Sequence, residues 1–280
     1  MMQTSIGKKR IHTIIFQMLI WLTAAAFLFP IAWMLSTALK LPEDIFTAKP
    51  QLLPESFQWS NFINAWNAQP FGRFLLNTLI VVGVSTPLAM LSATMVAFGF
   101  ARINFWGRNS LFLLVIGTMV IPWDVTAIPL YIEYNKLGLI NTLWPMILPG
   151  AFGSAFFIFL ARQFIMGIPK DLDEAAEIDG CNRWQIYQRI ILPLCRPIVV
   201  VIGVFHFVWC WNEFLTPLIF INDQSMYTLP LGINLFKNAF NIEYEKLMAI
   251  SCLSVLFPAT LFYFTQNLIL GGISLSGVKK

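Results

Sequence analysis

The sequence is poor in charged residues. Only 11% of its 280 residues are Asp, Glu, Lys or Arg, whereas 58% are hydrophobic and the mean hydropathy is +0.70. Soluble domains carry about 25% charged residues, so this composition excludes a soluble globular enzyme. It indicates a protein that spans a membrane several times and is surrounded by lipid. We attribute the net charge of +4 to residues beside the spans and expect no nucleic-acid partner.

The sequence also lacks the motifs of catalytic, metal and nucleotide sites. It contains no GxxxxGK[ST], HExxH, GxSxG or CxxC pattern, and its two histidines, His12 and His206, stand far apart. The four cysteines have no metal-ligand spacing, which favours a packing role. We therefore predict no catalytic residue, no metal site and no cofactor bound by this chain.

Long apolar stretches are abundant: four hold no full charge, and two hold a single acid each, Asp124 and Glu213. A helix needs about 20 residues to cross a hydrocarbon core of about 30 Å. Six transmembrane helices are predicted, approximately over residues 12–36, 74–100, 110–131, 143–165, 197–221 and 248–270. The first apolar run is longer than that of a signal peptide, so we interpret it as a retained helix. The predicted fold class is an all-α membrane protein.

The distribution of Lys and Arg predicts the orientation. With the N-terminus inside, 12 of the 18 Lys and Arg residues fall on the inner side of the membrane and six on the outer side. Because inner loops carry the excess of positive charge, both termini are predicted to lie in the cytoplasm. Long outer segments then cover residues 37–73 and 221–247.

An acidic hairpin, residues 169–195, separates the fourth and fifth predicted helices. Its segment DLDEAAEID has five carboxylates in nine residues. Asp171 is a plausible helix start, Gly180 predicts a stop in the left-handed region, and Asn182 can cap a second helix. The hairpin is therefore predicted to be a helix, a glycine turn and a helix.

The composition of the first hairpin helix favours contact with another protein. The small side chains of Ala175 and Ala176 permit close approach, and the surrounding carboxylates suit a basic partner. A merely solvated acidic face is the alternative. We favour a docking surface, because helix signals hold the segment at both ends and the positive-inside rule gives no reason for acids there.

The acidic hairpin carries a family signature. The stretch EAAEIDGCNRWQIYQRIILP fits the pattern EAA-x3-G-x9-I-x-LP at every specified position. The matching residues are Glu174, Ala175, Ala176, Gly180, Ile190, Leu192 and Pro193. This pattern resembles the EAA loop of the integral membrane subunits of bacterial ABC importers. The stretches WNEFLTPLIF, TLPLGINLF and GGISLSGVKK are similar to the carbohydrate-uptake branch of those subunits, the maltose-permease G-type.

The resemblance implies a fold and a domain organisation. We expect a type I ABC importer permease fold in the bacterial inner membrane, with the acidic hairpin in the cytoplasm. Residues 1–69 would hold the first helix and first periplasmic loop, residues 70–270 the permease domain, and residues 271–280 a cytoplasmic tail.

The resemblance also implies partners and a mechanism. The expected partners are a second homologous permease that forms a heterodimer with this chain, two copies of an ABC ATPase that hold ATP and Mg²⁺, and an extracytoplasmic sugar-binding protein. The first hairpin helix would be the coupling helix, with Glu174 paired to an Arg of the ATPase and Asp179 on the same surface. The chain itself would be a non-catalytic subunit.

Candidate cargo contacts follow from the expected carbohydrate. Aromatic faces and amide groups suit hydroxylated rings, which selects Trp209, Trp211, Asn212 and Glu213 on the fifth predicted helix. A structural ion pair near the outer end is the alternative role for Glu213.

In the outer segment 221–247, the predicted contacts with the binding protein are Thr228, Leu229, Pro230, Leu231 and Gly232. A passive loop is the alternative.

Three rival functions can be weighed against this interpretation, and only the third remains open. An ion-driven secondary transporter needs ionisable residues along a membrane path, and only His206 and Glu213 offer themselves. A membrane enzyme needs a catalytic constellation that the sequence does not contain. An ABC importer for a polyol, glycerol phosphate, peptide or other non-sugar cargo shares every motif named above.

Overall fold

The structure is a computed structural model that describes residues 2–47, 51–237 and 242–276. Side chains are described for residues 12–47, 51–237 and 242–268. Residues 277–280 of the predicted cytoplasmic tail, with its two terminal lysines, lie outside the described residues. Residues 238–241 of the predicted outer segment 221–247 also lie outside them.

Helices account for most of the described chain. The labelled helices are α1 (Met2–Ala38), α2 (Ser60–Ala68), α3 (Phe71–Arg102), α4 (Arg108–Gly117), α5 (Trp123–Lys136), α6 (Trp144–Phe152), α7 (Ala155–Met166), α8 (Asp171–Ile178), α9 (Arg183–Ile186), α10 (Arg196–Trp211), α11 (Leu215–Phe220), α12 (Leu229–Ile233) and α13 (Tyr244–Ser276). Shorter helical turns lie at Pro42–Ile45, Thr118–Val120, Leu192–Leu194, Gln224–Met226 and Asn234–Phe236, and a π-helical turn spans Tyr187–Ile191.

The all-α prediction is confirmed for the part of the chain that the structure describes. Extended pairing there amounts to one isolated antiparallel bridge, between Lys237 and Ile242. A helix satisfies its own backbone hydrogen bonds, which is what a segment in lipid requires. The long apolar runs of the sequence therefore become helices.

The described helices give four to six candidate spans by length and composition. Four are continuous enough to cross a membrane alone: residues 12–38, 71–102, 144–166 and 244–268. Two more arise if each bent pair counts as one span, residues 108–120 with 123–136 and residues 183–194 with 196–211. The predicted number of six matches this upper count.

Helix breaks are the main difference from the predicted spans. The helices around Pro122 meet at 98°, and those around Cys195 meet at 76°. Proline removes a backbone N–H and disfavours helix in the residue before it, which accounts for the break after Ile121. Pro197 stands at the start of α10, where its missing N–H is tolerated. The predicted helix 197–221 divides into α10 and α11.

The chain divides into two compact units. The first combines residues 1–69 with 233–256, and the second combines residues 70–232 with 257–280. In the first unit, the most hydrophobic 18-residue stretch of α1, within residues 12–38, has no buried residue. Its large side chains therefore face the surroundings of the subunit, which suits lipid.

The core of the second unit forms around α3, which packs against α6, α7 and α10. Ala89, Ala93, Ala97 and Ala101 repeat every four residues along one face of α3, and each is at most 8% exposed. Small residues at this spacing let membrane helices approach closely. Gly150 of α6 shows how close: a Cβ there would lie 2.8 Å from the backbone oxygen of Ser85.

Candidate functional site

The acidic hairpin adopts the predicted helix, turn and helix. The first helix, α8, is followed by Gly180 at a φ of 83° in the left-handed region, where glycine is favoured. Asn182 caps α9 through a reciprocal pair of hydrogen bonds with Gln185: the Gln185 amide donates to Asn182 Oδ1 at 2.9 Å, and the Asn182 amide donates to Gln185 Oε1 at 2.8 Å. The predicted stop and cap are confirmed.

Three residues on one face of α3 hold the acidic hairpin. Thr94, Phe98 and Arg102 are spaced by four residues and therefore lie on the same side of the helix. Thr94 Oγ1 is 3.0 Å from the hydroxyl of Tyr187, and the Phe98 and Tyr187 rings are 5.3 Å apart. The hairpin therefore packs against the last three turns of α3, the longest helix of the second unit.

A buried ion pair links α8 to Arg102, the last of these three residues of α3. Arg102 Nε lies 2.8 Å from Asp173 Oδ2, and the two side chains are only 2% and 8% exposed. Arg102 Nη2 also donates to the carbonyl oxygen of Ile168 at 2.8 Å. Burial raises the pKa of the Asp173 carboxyl above its ordinary value, and the adjacent Arg102 guanidinium opposes that rise. The charge on Asp173 therefore depends on Arg102.

Sequence reasoning missed the ion pair. In the sequence, Asp173 is one of the five carboxylates of the acidic hairpin, and Arg102 is one of the 12 Lys and Arg residues on the predicted inner side. The available signal was the position of Asp173 three residues before Ala176, which places both on one face of α8. These are the two residues of α8 that the structure buries.

The opposite face of α8 is exposed. Glu174, Ala175 and Asp179 are exposed, and the apolar side chain of Ile178 is 86% exposed. Ala176, which was predicted to permit docking together with Ala175, is instead 6% exposed and belongs to the core. The face that α8 presents outward therefore mixes carboxylates with small and apolar side chains.

The second half of the signature packs into the core. Ile190 and Leu192 contact the buried cluster that contains Ile186, Tyr187 and Ile191. Pro193 is exposed, in the helical turn just before the 76° bend at Cys195. Ile190 and Leu192 therefore hold the hairpin against the core, and Pro193 lies where the chain turns into α10. Glu174 and Ala175 remain exposed on the surface.

A cavity of about 420 Å³ lies within the second unit, separate from the hairpin. Aromatic residues from several helices form much of its wall: Trp123, Tyr134, Phe157, Trp209 and Phe220. Aromatic walls with a few polar groups are typical of small-molecule sites. The Trp209 and Phe157 rings meet edge to face at 5.8 Å.

The cavity includes two of the four predicted cargo contacts. Trp209 and Glu213 line it, and Glu213 Oε1 accepts a hydrogen bond from the Thr216 amide at 2.9 Å. Trp211 is 1% exposed and stacks on Phe207 and Phe257, 5.5 and 4.8 Å away. Asn212 follows the end of α10, and its side-chain amide donates to the Val208 carbonyl.

The segment predicted to touch a binding protein is largely buried. Thr228, Leu229, Leu231 and Gly232 are buried, and Pro230 is partly exposed. Thr228 lines the cavity, and the Leu229 amide donates to Thr78 Oγ1 of α3 at 2.8 Å. The neighbouring residues 222–224 are exposed. In this conformation the surface of the segment therefore lies a few residues before the predicted contacts.

Comparison with known proteins identifies the family. Residues 72–273 match the family of binding-protein-dependent transport system inner membrane components. The chain belongs to this family. It is therefore a multi-pass, non-catalytic permease subunit of an ABC importer in the inner membrane, and it works with ATPase subunits and a periplasmic binding protein.

Curated relatives extend the match to nearly the whole chain. A probable ABC transporter permease protein of Bacillus subtilis, YurM, is 33% identical over 98% of this chain and 89% of its own length. The diacetylchitobiose uptake permease NgcG of Streptomyces coelicolor is 31% identical over 88% and 82%. The arabinooligosaccharide transport permease AraQ of Halalkalibacterium halodurans is 33% identical over 81% of each chain.

A solved structure shares the permease fold. A chain from a bacterial ABC transporter involved in the import of the acidic polysaccharide alginate superposes with a TM-score of 0.78, at 20% identity, over 92% of this chain and 96% of that one. The expected ABC importer permease fold is confirmed by this likeness.

Proposed function

We propose that the chain is the membrane subunit of an ATP-driven importer of sugars or oligosaccharides and forms half of its translocation pore. The support for the cargo is the pair of relatives named for diacetylchitobiose and arabinooligosaccharides, together with the aromatic cavity. A polyol, glycerol phosphate or peptide cargo has no comparable support. Residues 70–270 act as the permease domain, preceded by a helix and loop and followed by the short tail.

The acidic hairpin receives the ATPase in this proposal. The observation that carries this assignment is that α8 has one face buried against the core and one face exposed. One face is held to α3 by the buried Arg102–Asp173 pair, and the other exposes Glu174 and Ala175. A helix fixed on one side can transmit a displacement applied to the other. Glu174 pairs with a basic residue of the ATPase, Ala175 lets its surface approach, and Asp179 adds charge at the edge.

Motion of the ATPase subunits then reaches the pore through α3. When two ATPase copies close on ATP, they shift α8, and the contacts of Thr94, Phe98 and Arg102 carry the shift into the longest helix of the second unit. The cavity lies beside the same helix, with Thr78, Val81 and Ala89 in its wall. The pore alternates between two states, each favoured by one set of ligands.

The pore requires a second, homologous permease, and the cargo arrives on a binding protein outside. We assign contact with the binding protein to the exposed residues 222–224, since the adjacent residues 228–232 are mostly buried. Ordered outer segments of this length often carry function.

The proposal is tested by reconstituting the complex in liposomes with its ATPase and binding protein. We expect uptake of a labelled neutral oligosaccharide that stops when ATP is omitted. A labelled polyol and a labelled peptide serve as cargo controls. Uptake driven by an ion gradient without ATP would instead support a secondary transporter and contradict the proposal.

The turn of the acidic hairpin gives a direct prediction. Gly180→Leu is expected to lower ATP-dependent uptake, because a side chain in the left-handed region costs about 1–2 kcal/mol. Steric contact is not the cause, since no described atom lies within 4 Å of the position of a Cβ. Gly180→Asn is the matched control, because asparagine tolerates this region, and it should retain most of the uptake. Equal uptake by the leucine variant and the parent would contradict this account of the turn.

A further inference from the structure

A smaller cavity, of about 330 Å³, lies where the chain passes from α3 into α4. We call it the inner cavity, because the distribution of Lys and Arg predicts that this loop lies on the cytoplasmic side. Its wall contains one arginine and no carboxylate, so this part of the surface carries a positive charge. The lining residues are Asn104, Phe105, Gly107, Arg108, Asn109 and Ser110.

Arg108 is held in position but is not neutralised. Its Nη1 donates to Asn104 Oδ1 at 2.8 Å. An amide oxygen fixes the direction of the guanidinium group without cancelling its charge. The ion pairs of the described part of the chain do not include Arg108, and its side chain is partly exposed. The inner cavity therefore offers an oriented cation to an anion that arrives from outside the chain.

Arg162 of α7 places a second positive charge on the same side. Phe112 lies one turn after Arg108 on the same face of α4, and Arg162 Cζ is 4.1 Å from the centre of the Phe112 ring. Arg162 Nε donates to the carbonyl of Phe100 at 3.3 Å, but no carboxylate among the described residues pairs with it. The charge of Arg108 acts on Arg162. An anion beside both groups would offset their repulsion.

The surroundings of the inner cavity suit the boundary between water and lipid. Trp106 is 98% exposed, and the adjacent Phe105 is 41% exposed. Tryptophan is enriched at the level of the lipid headgroups, where its ring is apolar on one side and wet on the other. Leu111 and Leu114, three and six residues after Arg108, are 48% and 65% exposed. Exposed apolar side chains therefore continue from the arginine along α4.

We propose that the inner cavity binds the phosphate headgroup of an anionic phospholipid from the inner leaflet. Arg108 and Arg162 contact the phosphate, since guanidinium groups bind phosphate oxygens through strong charge-assisted hydrogen bonds. The acyl chains then lie along Leu111 and Leu114, and Trp106 lies at the headgroup level beside them. Charge complementarity identifies the occupant: basic groups next to a bilayer attract its anionic lipids, and a zwitterionic headgroup would gain less from two unpaired arginines.

Lipid binding to the purified, assembled complex tests the role of the arginines. Phosphatidylglycerol or phosphatidylcholine is titrated onto delipidated complex, and bound lipid is measured by native mass spectrometry. We expect the parent to prefer phosphatidylglycerol, and Arg108→Gln to weaken its binding about fivefold, the contribution of one basic side chain near an anionic surface. Arg108→Lys keeps the charge and should keep most of the affinity. Arg189→Gln is the matched control, because Arg189 is also exposed on the predicted inner side, and it should bind like the parent.

Two results of this titration would overturn the proposal. One is equal affinity of the parent for the two lipids, and the other is equal affinity of Arg108→Gln and the parent for phosphatidylglycerol. Inorganic phosphate separates a lipid site from a site for free anions. We expect phosphate at millimolar concentration to leave the lipid bound, whereas displacement of the lipid would show that the site takes a free anion and would contradict the assignment.

The position of Trp106 gives an independent readout in liposomes. Trp106→Cys, with the four native cysteines replaced, carries a fluorophore in the assembled complex, and the quencher is a lipid with a nitroxide close to its headgroup. We expect nitroxide-labelled phosphatidylglycerol to quench more strongly than labelled phosphatidylcholine, and Arg108→Gln to remove that difference. Equal quenching by the two lipids, or no quenching because another subunit covers position 106, would overturn the proposal. Neither experiment depends on which cargo the importer carries.

Discussion

Arg102→Ala is expected to abolish ATP-driven uptake and to detach the acidic hairpin from α3. The substitution removes the partner of Asp173, whose side chain is only 8% exposed. Removing one member of a buried ion pair costs about 3–5 kcal/mol, because the remaining charge stays buried without compensation. Asp173 then either takes up a proton or draws α8 out of the core. The carbonyl of Ile168 also loses its donor.

The measurement for this variant is the ratio of ATP hydrolysed to cargo transported in proteoliposomes. We expect hydrolysis to continue without transport wherever the ATPase still binds. The double variant Arg102→Met with Asp173→Leu is the control, because replacing both charges with apolar side chains of similar size is often neutral. It should assemble better than Arg102→Ala. A single variant with the parent's coupling ratio would show that the pair does not position α8.

Glu174→Lys is expected to abolish uptake and to weaken association with the ATPase, while insertion into the membrane is unaffected. Glu174 is exposed in the subunit alone, so its replacement leaves the core intact. In the assembled transporter the proposed partner is a basic residue, which a lysine would repel. Losing one partner of an interface charge pair costs about 2–5 kcal/mol, which weakens binding about 30-fold to several thousandfold.

Co-purification with the ATPase measures this effect. Asp171→Lys is the matched control, because Asp171 is also an exposed acid in the first turn of α8. It should lose only the favourable effect of the helix dipole, about 0.3–1 kcal/mol, and retain the ATPase. Normal stoichiometry and normal uptake in Glu174→Lys would refute the docking role of Glu174.

Local chemistry made much of the fold predictable. Long apolar stretches with at most one full charge predicted the helices. Glycine at position 180 and asparagine at position 182 predicted the turn and cap of the acidic hairpin. These signals depend on residues close together in sequence, since helix formation and capping are local events. The signature EAA-x3-G-x9-I-x-LP led to the family for the same reason.

Long-range packing was not predictable in the same way. The Arg102–Asp173 pair joins residues 71 positions apart, and no periodicity marks such a contact. The burial of Leu229 and Leu231 was missed because an apolar outer segment can equally cover its own subunit or meet another protein. Trp211 illustrates the same difficulty: a tryptophan near a predicted pore can face it or, as here, stack between Phe207 and Phe257.

Site-specific cross-linking from α8 tests the central claim most directly. Ala175→Cys places a thiol on the exposed face of α8, next to Glu174. Leu137→Cys, at a residue that is 68% exposed on the predicted outer side, provides the control. In native membranes we expect a short bifunctional thiol reagent to join position 175 to the ATPase and to leave position 137 unlinked to it. A cross-link from position 137 to the ATPase, or none from position 175 in an active transporter, would contradict the account.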